Sequence, residues 1–215
     1  MKVIYFLFGG WGSANAGQPI NATVKTGTTQ LINSINVACK AAQIDLKMHA
    51  CEGSQSVQMH QCLRFLSTHF DPNAVLMLHG YSMGGFNALQ VSWKFSWLAY
   101  DPAHKAIVRS PGGGKLVPLR FKLATTIDIA RGPTSSGASR RIWPSVDSNL
   151  NIYQTHQSSV YSCGGPTTAV DPKKTTVKNE DWSAKYKGNP GGAHGKIDND
   201  AVAPCMTAIK KALGI

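Results

Sequence analysis

No apolar run near the start of this 215-residue chain approaches the ~20 residues that a membrane-spanning helix needs; Val3 to Phe8 is only six residues long, and no longer candidate span comes after it. No transmembrane segment is therefore expected. Met1-Lys2, that short run and Ser13-Ala14-Asn15-Ala16 together imitate a secretory leader. The run falls below the ~7–15 residues of a leader core, and Gly9, Gly10 and Gly12 break up the residues beyond it. The expectation is no signal peptide, and hence a cytoplasmic protein or one exported by a signal-independent route. Cysteine is scarce as well. Cys39, Cys51, Cys62, Cys163 and Cys205 are odd in number and include no C-x-x-C pair, which argues against a zinc site and a dense disulfide framework. A single bridge, Cys39–Cys62 or Cys51–Cys62, stays open beside the plainer reading of buried thiols.

Acidic residues are few: 11 against 22 Lys plus Arg, a net charge of +11. The excess is uneven. Residues 1–100 carry six Lys/Arg and three acids, and residues 101–215 carry sixteen and eight. Such a balance favours solubility and contact with polyanions, either nucleic acid or an acidic membrane face. Only Arg140-Arg141, Lys173-Lys174 and Lys210-Lys211 adjoin in sequence, and no nucleic-acid fold signature accompanies them, so nucleic acid is not an expected partner. No metal constellation is visible, and Gly9-Gly10-Trp11-Gly12 departs from a G-x-G-x-x-G dinucleotide turn. Neither metal nor cofactor is expected.

The chain does contain a clear alternation. Val3 to Phe8 reads as a strand buried on both faces. Leu31, Ile32, Ile35, Ala38 and Cys39 come next at helical spacing. Ile44, Leu46 and Met48 alternate as a second strand, and Val57, Cys62, Leu63, Phe65 and Leu66 predict a helix ending before Asp71-Pro72. Ala74 to Leu78 is a third strand, Gly80 to Gly85 a turn, and Phe86 to Leu98 a long apolar helix. Strand–helix repeats of this kind predict an α/β fold, a mostly parallel sheet flanked by helices. Beyond residue 100 the pattern loosens. Residues 110–118 read as a loop, Phe121 to Ile129 as a fourth strand, 131–148 as a surface segment, and Leu150, Ile152 and Tyr153 as a fifth strand. Residues 157–195 lack periodicity, and a last helix is expected near Asp198 to Ala212, with Asp198 and Asp200 at its start. No repeat or linker interrupts the chain, so 1–215 reads as a single domain.

The sharp signal is Gly80-Tyr81-Ser82-Met83-Gly84. As bare letters G-x-S-x-G is weak. Here an apolar strand, Val75 to Leu78, runs into it and an apolar helix leaves it, which is the context that gives the pattern meaning. A turn that sharp needs small residues two before and two after, so that the backbones can pass. Ser82 would then stand at the carboxyl edge of the sheet, where open α/β folds bind ligands.

Through Leu78-His79-Gly80-Tyr81-Ser82-Met83-Gly84-Gly85, the glycine-rich Phe8-Gly9-Gly10-Trp11-Gly12 and a late His194, the chain resembles the α/β-hydrolase superfamily on its lipase and esterase side. The resemblance implies a compact, cutinase-sized fold with little or no lid. It also implies a catalytic triad in the order Ser, acid, His: Ser82 as nucleophile, a later carboxylate, and a histidine in a late loop. His194, in Gly191-Gly192-Ala193-His194-Gly195, is the expected base, with His156 as the alternative. His79 is taken for a strand or pocket histidine. Asp128, at the carboxyl end of the fourth strand, is the expected acid, and its Thr-Ile-Asp context resembles lipases that carry the acid one strand early. Asp171 is the alternative, and Asp101 is read as closing the preceding helix. The amides of Met83 and of the Gly10-Trp11 stretch would form the oxyanion hole.

Two classes of function are expected. One is a serine esterase or lipase acting on carboxylic, lipid or phospholipid esters, in a housekeeping role or as a delivered toxin. Lys173, Lys174, Lys178, Lys185 and Lys187 are expected to bring an anionic membrane surface to the rim of its site. The other class is a non-catalytic α/β module that binds a polyanion through its basic second half.

Overall fold

The computed structural model describes residues 1–10, 26–53, 59–110, 115–130, 140–156 and 164–215. Its central sheet is built from β1 (Lys2–Gly9), β2 (Asp45–Glu52), β3 (Val75–Tyr81), β7 (Phe121–Ile127), β9 (Ser148–Tyr153) and β11 (Thr176–Asp181). The order across the sheet is β2-β1-β3-β7-β9-β11, and every neighbouring pair is parallel. The chain is thus an α/β protein. β1 has β2 on one side and β3 on the other, so the winding reverses between β1 and β3. A parallel sheet opens a crevice at the carboxyl ends of the strands at such a reversal.

The unbroken apolar run of β1 serves two cores at once. Val3, Tyr5 and Leu7 face one layer of helices, and Ile4, Phe6 and Phe8 face the other. On the first face lie α1 (Gly27–Ala41), α4 (Ala193–Asp200) and α5 (Val202–Leu213). Leu31, Ile35 and Cys39 form the inner stripe of α1, one turn apart. On the second face lie α2 (Met59–His69) and α3 (Met83–Phe95). Phe6 is fully buried there, edge-on to Phe65, Phe95 and Phe121 with ring centroids 5.7–6.1 Å away. Each such side chain contributes about 1.5–3 kcal/mol by leaving water.

Where the sequence pattern loosens, expectation and structure part. The long helix expected over Phe86 to Leu98 is α3, beginning directly after Ser82 and ending at Phe95. Leu98 instead opens β4 (Leu98–Asp101), the middle strand of a small antiparallel sheet with β5 (Ala106–Arg109) and β6 (Val117–Pro118). Asp101 therefore closes no helix. It ends β4 and accepts from the Ala103 amide at 2.9 Å. β8 (Arg141–Ile142) pairs with β10 (Thr168–Ala169) inside what reads as surface segment, while Ser145 and Val146 are buried. The polar stretch before His194 contains the sixth sheet strand, β11, and two 3-10 turns, Ser183–Tyr186 and Pro190–Gly192. The single last helix is two, α4 and α5. Cys39, Cys51, Cys62 and Cys205 are free thiols, so neither open disulfide forms; Cys163 lies outside the described residues.

Candidate active site

Ser82 occupies the single-residue step between β3 and α3, with φ 56° and ψ −123°. A non-glycine residue there costs on the order of 1–3 kcal/mol and persists only where its surroundings fix it. Its amide donates to Ile127 O at 2.9 Å, and its carbonyl accepts from the amides of Gly85 (3.0 Å) and Ala130 (3.2 Å). The turn closes only because its flanks lack side chains. A Cβ on Gly80 would collide with the Gly84 carbonyl and lie 2.6 Å from Gly85 Cα, and a Cβ on Gly84 would collide with the carbonyls of Phe8 and Gly9. The motif's glycines let the β3–α3 turn nest against the end of β1.

Three sequence-predicted residues meet at this carboxyl edge. His194 Nε2 lies 2.8 Å from Ser82 Oγ, and His194 Nδ1 lies 2.6 Å from Asp128 Oδ2. All three are buried, Asp128 completely. Asp128 succeeds β7 at φ 43°. Besides the imidazole it accepts from the Gln154 amide (3.2 Å), Gln154 Nε2 (2.9 Å) and the Gly164 amide (2.8 Å). An ionised carboxylate only accepts, so the network places the ring proton on Nδ1. Nε2 is then an acceptor for the Ser82 hydroxyl.

His194 is not in a loop. It lies in the first turn of α4, behind a 3-10 turn whose start is held by Asn189, the side chain of which accepts from the Gly192 amide. Tyr81 then fixes it twice. The phenol donates to His194 O at 2.6 Å, and its ring stacks on the imidazole with centroids 5.3 Å apart and planes at 29°. The alternatives lie elsewhere. His156 Nε2 contacts Ser183 O at 2.7 Å, and Asp171 accepts from the Lys173 amide within its own turn. His79 is fully buried inside β3, 2.8 Å from Thr125 Oγ1, and burial pushes its pKa down to about 3.

Two groups could face an oxyanion beside Ser82. The Met83 amide opens α3, where helix amides have no partner within the helix. Gly10 adjoins the serine, since a Cβ on it would fall 3.3 Å from Ser82 Cβ and 2.7 Å from the Tyr81 ring. Trp11 lies outside the described residues. A cavity of about 1060 Å³ lined by Met59, Leu63, Trp93 and Trp97 lies at the other end of α3. That is about 15 Å of helix away from the serine, so the cavity is separate from the hydrogen-bonded residues at the carboxyl edge.

Sequence reasoning missed Tyr81, Gln154, Gly164 and Asp198. Tyr81 could have been suspected as the neighbour of the motif serine; the other three leave no sequence signal. Asp198 does not start the last helix. It sits near the close of α4, buried, and accepts from the Thr28 amide (3.0 Å) and Thr28 Oγ1 (3.2 Å) of α1. Burial pushes its carboxyl up to about 6. The basic stretch is also split. Lys174 O accepts from Arg120 just before β7, which puts Lys173 and Lys174 at the amino edge of the sheet. Lys185 and Lys187 come after β11 at the carboxyl edge, with Lys185 paired to Asp200 at 2.9 Å. Among the described residues no helix is long and apolar enough to cross a membrane, and no group of three His, Cys, Asp or Glu could hold a metal ion. No protein-family model and no curated protein matches the chain.

Proposed function

We propose that the protein is a serine hydrolase of carboxylic esters, lipid esters among them, with Ser82 as nucleophile, His194 as general base and Asp128 as its orienting carboxylate. One observation carries this reading: the hydrogen-bonded line from Ser82 Oγ through the imidazole to a buried carboxylate, at the carboxyl edge of a parallel sheet. A serine hydroxyl is a weak nucleophile until a base takes its proton. With Nδ1–H held by Asp128, the Nε2 lone pair faces that hydroxyl. As Oγ bonds to the acyl carbon, its proton passes to Nε2 and the carbonyl π pair moves onto oxygen. The Met83 amide, with the Gly10 backbone beside it, would stabilise that oxyanion. Collapse expels the alcohol, which takes the proton from Nε2, and leaves an acyl-serine. Water then adds to the acyl carbon as Nε2 takes its proton; the acyl–Oγ bond breaks, Oγ recovers that proton, and the acid is released.

A fluorophosphonate probe is expected to label Ser82 in the wild-type protein and not in Ser82→Ala. No label on folded wild-type protein would favour the non-catalytic, polyanion-binding class instead. Docking of an anionic lipid surface at the site would rest on Lys185 and Lys187, because Lys173 and Lys174 stand at the opposite edge. Exposed charges act over ~8 Å at physiological salt. Turnover on anionic vesicles should therefore exceed that on neutral ones at low salt and converge with it at high salt, with soluble-ester turnover unchanged. Equal, salt-independent rates on both vesicles would confine the positive charge to a solubility role.

A further inference from the structure

We propose that Asp198 is a positioning residue for His194: its carboxylate fastens the short helix that carries the imidazole to the N-terminus of α1 and supplies a second negative charge behind the ring. The proposal rests on the reading of His194 as the base. α4 has only eight residues, and a glycine-rich segment leads into it. Little in its own sequence would hold it still. His194 and Asp198 are four residues apart, hence on one face of that helix. Opposite that face stands the start of α1, whose first turn contains no acidic residue. The first amides of a helix are unpaired and carry its positive dipole end. In α1 the Thr29 amide is taken by the Thr26 cap, and the Thr28 amide and hydroxyl by Asp198. The helices touch closely, since a Cβ on Gly27 would lie 2.5 Å from Asn199 N. A second tie, from Gln30 Nε2 to Asn199 Oδ1 at 3.1 Å, runs beside the first.

A buried carboxylate with its pKa pushed up costs stability. The folded state holds a proton that the unfolded chain releases, so stability falls as pH rises from about 4 to about 6 and levels off above. Near neutral pH an ionised Asp198 is therefore a burden on the fold, which suits a group kept for its position beside His194 rather than for stability. Among the described residues the ionisable groups around it are few. α1 offers only the Gly27 and Thr28 donors. α5 offers Cys205, whose thiol burial pushes up to about 12 with Asp198 adding to the rise. His194, on its own helix, acts on Asp198 in the opposite sense to burial and favours its carboxylate form.

Asp198→Asn keeps the size and one acceptor oxygen but loses the charge. It is expected to lower kcat about five- to twentyfold with KM unchanged, and to move the acidic limb of the kcat/KM profile to lower pH. The variant should be at least as stable as wild type at pH 7, and the fall in stability between pH 4 and 6 should flatten. The low-field imidazole Nδ1 proton resonance of His194 should broaden or shift. Thr28→Val removes one donor and leaves the charge; it should lower kcat two- to fivefold without moving the profile. An Asp198→Asn protein with wild-type kcat per folded molecule, an unmoved profile and an unmoved resonance overturns the proposal. Should that variant not fold, Thr28→Val with wild-type kcat and an unmoved resonance does so. If Ser82→Ala retains turnover, the hydrolase reading fails on its own, and the His194 resonance still decides the role of Asp198.

Discussion

Ser82→Ala is expected to lower ester turnover by about 10⁶-fold, as removal of a triad nucleophile does elsewhere, and to leave the fold intact. Ser82→Gly should abolish turnover equally and make the protein more stable. The two variants separate chemistry from strain. Alanine removes Oγ but keeps a Cβ on a backbone held at φ 56°, so the conformational cost stays. Glycine removes both. Relief of on the order of 1–3 kcal/mol of strain, less about 0.5–1 kcal/mol for glycine's greater freedom in the unfolded chain, leaves a gain of about 1 kcal/mol. The backbone should not relax away in either variant. The Ser82 amide and carbonyl are tied to Ile127, Gly85 and Ala130 independently of the side chain. The measurements are p-nitrophenyl ester turnover and urea midpoints at pH 7. Near wild-type turnover by Ser82→Ala removes Ser82 from the mechanism. A Ser82→Gly midpoint no higher than that of Ser82→Ala removes strain as a property of this turn.

β1 and β3 were legible because burial on both faces demands unbroken apolar residues, and Val3–Phe8 and Ala74–Leu78 supply them; β2, an edge strand, was legible from the alternation of Ile44, Leu46 and Met48, which are partly buried against the core on the α1 face. β11 was not legible. It is an edge strand, Thr-Val-Lys-Asn-Glu-Asp, whose mostly exposed residues carry charge, as edges must if they are not to pair with other chains. The start of α4 was hidden for another reason. Pro190-Gly191-Gly192-Ala193-His194-Gly195 has poor helix propensity. The helix forms there because Asn189 holds the preceding turn and because Tyr81 of β3 and Thr28 of α1 hold it from outside. Such ties join residues more than a hundred positions apart and leave no local pattern. The site divides likewise. Ser82 and its glycines form a local motif with a steric cause, and Asp128 is marked by a strand end. Gln154 and Gly164 become partners of Asp128 only once β7 and β9 lie side by side.

Asp128→Asn should lower kcat by about 10⁴-fold with a smaller change in KM, because it puts the imidazole proton on the wrong nitrogen. The carboxylate accepts from four donors: His194 Nδ1, the Gln154 amide, Gln154 Nε2 and the Gly164 amide. An asparagine has one acceptor oxygen and an NH₂ group that only donates. If the NH₂ faces His194, Nδ1 must accept, the ring proton moves to Nε2, and Nε2 can no longer take the Ser82 proton. If the oxygen faces His194, the NH₂ is driven against the Gln154 and Gly164 amides, which leaves buried donors unpaired at about 1–3 kcal/mol each. Close packing deepens the conflict, since a Cβ on Gly164 would overlap Asp128 Oδ1. The first arrangement costs activity and the second costs stability, so the variant should show a loss in kcat, in urea midpoint, or in both. Nitrogen-15 spectra of the ring distinguish the two, because they report which nitrogen is protonated. A folded Asp128→Asn protein with wild-type kcat, a wild-type urea midpoint and the proton still on Nδ1 would take Asp128 out of the mechanism. Asp171 could not replace it, since it lies in a turn with Lys173 and Lys174 at the opposite, amino edge of the sheet.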